Sequence, residues 1–486
     1  MARVSSLVRM SVLVWVFASA CTSESPGDEE IGDTGESSTG EGESTAGETT
    51  TTDTDADAEQ GTDETGSPLE YTYWRDAKAV IDRKCATCHQ PNMVAPFSLQ
   101  TYDEVLELAP ILAGAIDSGV MPPWPPNAAC NEYSASRALA DDERELLLTW
   151  LADGAIEGDP ADAPEDPEPP PPFEPDVDVT LPEPYTPTGS PDDYRCFVID
   201  WPSEITEDQY VVAQQVTPDQ TTMVHHVIIF VAGPDEADFY QGLDDAEPGA
   251  GYECFGGPGK LDWSARWLGA WVPGMERWVA PPGTGVRVEA GSKLIVQMHY
   301  NTSAVNPSPD QTRVAYQLAP AVDKPAEFIP ILDYGWVLGS KQMTIPAGDP
   351  DATHEVTLAR DDGILLYLMQ GLGVSPNTTV DVWGAALHQH LLGTHSVLTV
   401  ERSGDASDEC LLQVDDWDFH WQGQYGLAEP VAFGSGDAIH LQCWWDNSAE
   451  NQPLVDGVPK PSVDVGWGEG TFDEMCLGVL LIARQQ

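Results

Sequence analysis

Positive charge is scarce in this sequence: 21 Lys+Arg stand against 81 Asp+Glu in 486 residues, a formal net charge of −60 at pH 7. Phosphate backbones repel such a chain, which excludes nucleic acid as a partner. The apolar run near the start, Val12 to Phe17, is too short to span a bilayer. No internal repeat is visible. Thr22 to Pro68 has no Lys or Arg and almost no large apolar residue, so it cannot offset its ordering entropy and reads as a disordered acidic tether over 21–68. What is present argues for real cores: hydrophobic residues make up 41% of the chain and there are 16 Trp. At about 150 residues per domain the length suggests roughly three folded units. Nine Cys is an odd number, so one disulfide framework cannot use them all.

Residues 1–20 carry Arg3 and Arg9, the apolar run, then Ala18-Ser19-Ala20 before Cys21, the order of a secretory signal. A Cys after small residues resembles a bacterial lipobox. That resemblance implies an acylated Cys21, and Thr22 after it resembles lipoproteins sent to the outer membrane. Ala18, where Leu is usual, departs from the pattern, and ordinary secretion is the plain alternative. The expected location is a bacterial cell envelope, with membrane contact only through the lipid.

From Trp74 to Ala155 the pattern is helical, with Asp141, Asp142 and Glu143 in a first turn, Leu147, Trp150 and Leu151 on one face, and Gly154 as a stop. This stretch, 69–157, contains Cys85-Ala86-Thr87-Cys88-His89. In C-x-x-C-H two thiols form thioethers to a haem and the His offers an axial imidazole. A zinc half-site would need two further ligands at zinc spacing, and none follows. The segment resembles a class I cytochrome c domain, which implies a distal Met in a Pro-flanked loop. Met121, before Pro122-Pro123, fits that place; Met93 competes but lies very close after His89.

Residues 158–192 are dominated by Pro and acid and read as a polyproline II spacer. Beyond Tyr194, short runs rich in Val, Ile, Trp and Tyr alternate with Gly and Pro, which suggests antiparallel sandwiches. The expected fold is therefore a small all-α haem domain followed by two all-β sandwich, jelly-roll-like domains over 193–325 and 326–486.

His388 and His390 form an H-x-H pair, and side chains two apart on a strand share a face, ready to chelate one metal. His225 and His226 are adjacent, so they can share a metal only at a strand end or bulge. Met223-Val-His-His-Val-Ile-Ile-Phe, Pro281-Pro-Gly-Thr-Gly-Val-Arg-Val followed by Gln297-Met-His-Tyr, Leu387-His-Gln-His-Leu-Leu-Gly and Asp473-Glu-Met-Cys occur in this order. Residues 193–486 thereby resemble the copper type II monooxygenases, relatives of dopamine beta-monooxygenase and the peptidylglycine hydroxylating enzymes. The resemblance implies two copper ions, one on His225, His226 and His299 and one on His388, His390 and Met475. Two imidazoles and a thioether favour Cu(I) with a position open for O2, which suits that chemistry independently. It also implies disulfides Cys443–Cys476 and Cys196–Cys254. With Cys21 acylated and Cys85 and Cys88 on one haem c, Cys130 and Cys410 are left, and a bond between them would clamp the haem domain onto the copper module.

The activity implied is hydroxylation of an sp3 C–H of a small organic substrate with O2. Electrons from an external donor would pass the haem and then the copper at His225, His226 and His299. Needing no general base, the site is expected to lack a perturbed carboxylate. Peptide-amidating relatives place an Arg shortly before the H-x-H pair where this chain has Ala385-Ala386-Leu387, so a peptide carboxylate is not the expected substrate. His395 falls where the dopamine branch tends to be basic, and His354, His420 and His440 match no ligand. Trp417 to Trp421 could line a substrate cleft or be a buried aromatic strand. The alternative function is a non-catalytic envelope protein that binds copper or relays electrons on the same scaffold.

Overall fold

The computed structural model describes residues 71–485 apart from 92–94, 96, 166–170, 255–256, 260–263, 276, 303–304, 405 and 456. The signal segment, Cys21, the acidic tether and Met93 lie outside the described residues. Among the described residues no helix is long and apolar enough to cross a membrane.

Three α-helices precede the sheets: α1 (Lys78–Lys84), α2 (Tyr102–Asp117) and α3 (Asp141–Ala152). Helix α2 starts at a capping box. Thr101 Oγ1 accepts from the Glu104 main-chain N–H, and Glu104 accepts from Thr101 N–H at 2.9 Å. Helix α3 uses half of that device, Glu143 accepting from Ala140 N–H at 2.9 Å, and Gly154 follows with φ of +93°. Tyr73, Ile81, Val105, Leu147 and Trp150 close a small core between these helices.

The rest of the molecule is mostly β. A central sheet of nine strands runs in the order Val177–Thr180, Arg313–Ala319, Gln209–Thr217, Thr284–Val288, Lys324–Ile331, Leu477–Arg484, Val380–His388 and Gln424–Phe433, with Trp278–Val279 paired beside Gln209–Thr217. A five-stranded sheet (Tyr252–Glu253, Asp192–Asp200, Lys293–Asn301, Val224–Ala232, Ala265–Trp271) belongs to the N-terminal half. A four-stranded sheet (Ala352–Ala359, Ala438–Trp445, Gly393–Glu401, Glu409–Val414) belongs to the C-terminal half. Each half has its own apolar core.

Two sandwiches are thus present, but they are not two separate antiparallel units. One sheet runs through both, and its Lys324–Ile331 and Thr284–Val288 strands pair in parallel. The last strand explains the continuity. Leu477–Arg484 is apolar on both faces and buried along nearly its whole length, so it needs cover on both sides and neighbours at both edges. It sits between Lys324–Ile331 and Val380–His388. The segment expected to be a polyproline II spacer differs too. Val177–Thr180 is an edge strand, with Val177 opposite Tyr316 and buried, because its alternating Val residues supply an apolar face.

Disulfides join Cys130 to Cys410, Cys196 to Cys254 and Cys443 to Cys476. The first is part of a longer seam. Pro126 bridges Val414 and Tyr133 bridges Leu427, while Ser134 N–H donates to Gly426 O at 2.8 Å. Trp124, Tyr133 and Tyr425 pack ring to ring within 6.3 Å. The segment after α2 is therefore sewn onto the C-terminal half.

Candidate metal centre

His225 and His226 open the strand Val224–Ala232, and the pairing of that strand with Lys293–Asn301 slips between Val224 and His226. The slip is a β-bulge, and it sets His226 opposite His299. An extra residue on one strand turns neighbours that would face opposite ways toward one side. His225 Nδ1 stands 3.3 Å from His226 Nδ1, which is 3.4 Å from His299 Nδ1. One ligand atom of each lies within 4.8 Å of the others. His299 is held by Asp192, whose Oδ1 takes its Nε2 at 2.9 Å, and by Tyr194 stacked on its ring at 4.1 Å. With the Nε2 proton on the carboxylate side, Nδ1 presents a lone pair to its neighbours.

Burial, then the neighbouring imidazoles, lowers all three pKa values, His225 to about 4 and His226 and His299 well below the usual range. Near neutral pH three unprotonated imidazoles face one another out of water. Such a group suits a cation, and nitrogen ligands suit copper.

His388 ends the strand Val380–His388, and His390 follows the buried Gln389. Gln422 Oε1 accepts from His388 Nδ1 at 2.6 Å, and the Asp473 carbonyl accepts from His390 Nδ1 at 3.0 Å. Both rings therefore keep Nε2 for another partner. Burial lowers both, His390 to about 3. Met475 is buried beside them, fixed in sequence to the Cys443–Cys476 bond. Glu474 anchors the turn. Its carboxylate accepts from His390 N–H at 2.9 Å, Leu392 N–H at 2.7 Å and Trp445 Nε1 at 2.8 Å.

The two sets meet. His226 and His388 have ring centroids 6.5 Å apart, and both line one mostly apolar cavity of about 190 Å3 with His390 and Met475. Phe419 stacks on His225 at 4.9 Å and lies 5.9 Å from His390. Of the aromatic stretch, Trp417 donates to the His390 carbonyl at 3.1 Å, so it supports ligands. Ala386 and Leu387 are in the cavity wall, which holds no Lys or Arg among its described residues to meet a carboxylate.

The expectation of no perturbed carboxylate fails. Glu469 lines the cavity and is pushed up to about 7 by burial and by Asp473, and burial likewise pushes the Glu474 carboxyl up to about 7. The loop that delivers Met475 is sequestered and carries three acids, Glu469, Asp473 and Glu474, so burial perturbs its carboxylates whatever the reaction needs.

Residues match the copper type II ascorbate-dependent monooxygenase C-terminal domain over 373–481. The matched stretch contains His388, His390, Met475 and Cys476, so copper is the metal consistent with it. No curated protein matches the chain. Among solved structures, the infectious bursal disease virus VP2 subviral particle is 7% identical with a TM-score of 0.17, over 64% of this chain and 73% of that one. Allantoicase is 12% identical with a TM-score of 0.11, over 52% and 78%. Likenesses at that level carry no argument about fold or function.

Cys85 and Cys88 are free thiols after α1. His89 is buried, stacked on Phe97 at 4.5 Å, and its Nδ1 has no hydrogen-bond partner among the described residues. Met121 follows α2, half-buried, its N–H bonded to Ala115 O at 3.1 Å. Two unpaired thiols beside a buried imidazole with an orphaned nitrogen fit haem attachment. Of the unassigned histidines, His395 stacks on Trp444, His354 bonds the Thr344 carbonyl, His440 bonds Thr357 and His420 pairs with Asp418 in solvent.

Asp192, Tyr194, Gln422 and Glu474 were not singled out from the sequence. Only Glu474 had a signal, its place inside Asp473-Glu-Met-Cys. Gln422→Leu removes the acceptor that orients His388, and groups that hold a ligand are typically worth about 10–100-fold in metal affinity. Copper titration should show one of two sites weakened by that factor; two unweakened sites would count against the role.

Proposed function

We propose that the protein is a copper-dependent monooxygenase that hydroxylates an sp3 C–H bond of a small organic substrate with O2. One copper belongs on His225, His226 and His299 and the other on His388, His390 and Met475. Bound there, copper supplies one-electron redox chemistry and a position for O2. The observation that carries the reading is one apolar cavity lined by His226 of the first ligand set and by His388, His390 and Met475 of the second, with the His226 and His388 ring centroids 6.5 Å apart.

The side chains prepare that chemistry. Depressed pKa values keep the imidazoles unprotonated, so no proton must leave before a metal binds. Gln422 and the Asp473 carbonyl turn both Nε2 atoms inward, and Asp192 turns His299. Trp271, Trp267 and Phe230 in the wall exclude water and leave an apolar seat for the substrate.

In the same proposal Cys85, Cys88 and His89 carry a c-type haem with Met121 as distal ligand, and the haem feeds electrons to the copper pair. The chain is held by an acylated Cys21 in a bacterial envelope, at the outer membrane. Metal analysis should find two coppers and one haem per chain, and the reduced, copper-loaded protein should consume O2 faster when a substrate is present. Full metal loading without any substrate-dependent O2 uptake across a broad panel would instead support an envelope copper-binding or electron-relay protein.

A further inference from the structure

The haem motif approaches the β module at the turn that holds Gly274. Cys88 Sγ lies 3.6 Å from where a side chain would begin on Gly274, and Arg137 Nη1 lies 3.8 Å from the same point. Gly274 has φ of +85°, so both its conformation and this close approach favour a residue without a Cβ. Arg137, from the segment sewn onto the C-terminal half, donates to the Gly274 carbonyl at 3.4 Å. The contact is therefore fixed from both sides.

The turn leads inward. Met275 N–H closes it on Val272 O at 3.0 Å, and the Met275 carbonyl accepts from Trp271 Nε1 at 2.8 Å. Trp271 is buried, stands cross-strand from Val227, the neighbour of His226, and lines the copper cavity with both. From Cys88 the path is one close approach to Gly274, a short piece of backbone, one hydrogen bond and an indole ring. Other tryptophans nearby do not complete it. Trp278 and Trp383 line the neighbouring cleft but not the copper cavity, and Trp267 lines the cavity but its indole nitrogen has no hydrogen-bond partner among the described residues.

We infer that Trp271 is the side chain through which electrons pass from the haem edge at Cys88 to the copper at His225, His226 and His299. The inference rests on the haem and copper reading above and adds a residue to it. An indole π system couples donor and acceptor better than a saturated side chain of the same length. Each passage takes one electron from ferrous haem, leaving it ferric, and turns one cupric ion cuprous. No bond forms or breaks and no proton moves. An external one-electron donor protein restores the ferrous haem, and two passages supply the two electrons that one hydroxylation consumes.

The test uses the full chain loaded with haem and copper, without O2. A photoexcited ruthenium dye injects one electron into the haem, and the haem absorbance follows its return to the ferric state. Trp271→Leu should slow that return by an order of magnitude, and Trp271→Phe, which keeps a ring but loses the bond to Met275, by an intermediate factor. The haem midpoint potential and the cupric paramagnetic resonance spectrum should stay as in the parent, which a merely structural effect would not permit. Parent-like reoxidation in Trp271→Leu overturns the relay, as does parent-like reoxidation in Trp271→Phe should the Leu variant fail to hold copper. A parent protein that carries no haem or no copper overturns the underlying reading of function, and is seen before any variant is made.

Discussion

Met475→Leu should abolish hydroxylation while leaving a folded protein that still binds copper at His225, His226 and His299. Leucine keeps the volume and burial of the methionine, and volume-conserving swaps in a core cost less than about 1.5 kcal/mol. What it removes is the sulfur, and with it the soft ligand that favours Cu(I) over Cu(II) at a site otherwise made of imidazole. Turnover should fall by more than about 100-fold, beyond what residues that merely orient a ligand are worth. His226 of the first set shares a cavity wall with the second, yet Met475 stands on a different loop from the first set. Metal analysis should therefore report about half the copper, and X-ray absorption of the reduced protein should lose its sulfur scatterer. Unchanged turnover would remove Met475 from the site.

The ligand residues were legible because each sits in a short string whose spacing carries geometry. H-x-H on a strand is a chelate by construction, and the condition set for His225 and His226, a bulge, is the register slip between Val224 and His226. What holds those ligands was not legible. Asp192 is 107 residues from His299 and Gln422 is 34 from His388, and no local pattern links such pairs before the sheets bring them together. Sheet topology was opaque for the same reason. Lys324–Ile331 and Leu477–Arg484 are apolar runs buried along most of their length, and which edges such strands share depends on how the whole chain closes. The pairing of Cys130 with Cys410, across 280 residues, was reached only by subtraction, whereas the strand in the Pro-rich segment was hidden by its composition.

Glu474 offers the sharpest test of how the loop carrying Met475 is built. It is fully buried and accepts four hydrogen bonds, from His390, Leu392 and Met475 main-chain N–H groups and from Trp445 Nε1. Glu474→Ala leaves four buried donors without that acceptor, each worth about 1–3 kcal/mol, so a loss on the order of 4–5 kcal/mol is expected. Glu474→Gln is not conservative here, because both carboxylate oxygens face donors and an amide offers only one oxygen. Its NH2 must point at a N–H, at a cost of about 1–3 kcal/mol. Burial raises the wild-type carboxyl from 4.5 to about 7, so between those values the folded protein holds a proton that the unfolded chain has released. Stability from this group is then fully present below the unfolded value and is lost as pH rises through about 7. Glutamine does not titrate, so the wild type should exceed Glu474→Gln by more at acid than at alkaline pH, every other group being common to both. Urea denaturation of the pair on either side of neutrality measures that difference. A gap that widens as pH rises would mean the donors around Glu474 hold it ionised, and the raised pKa would be wrong in sign.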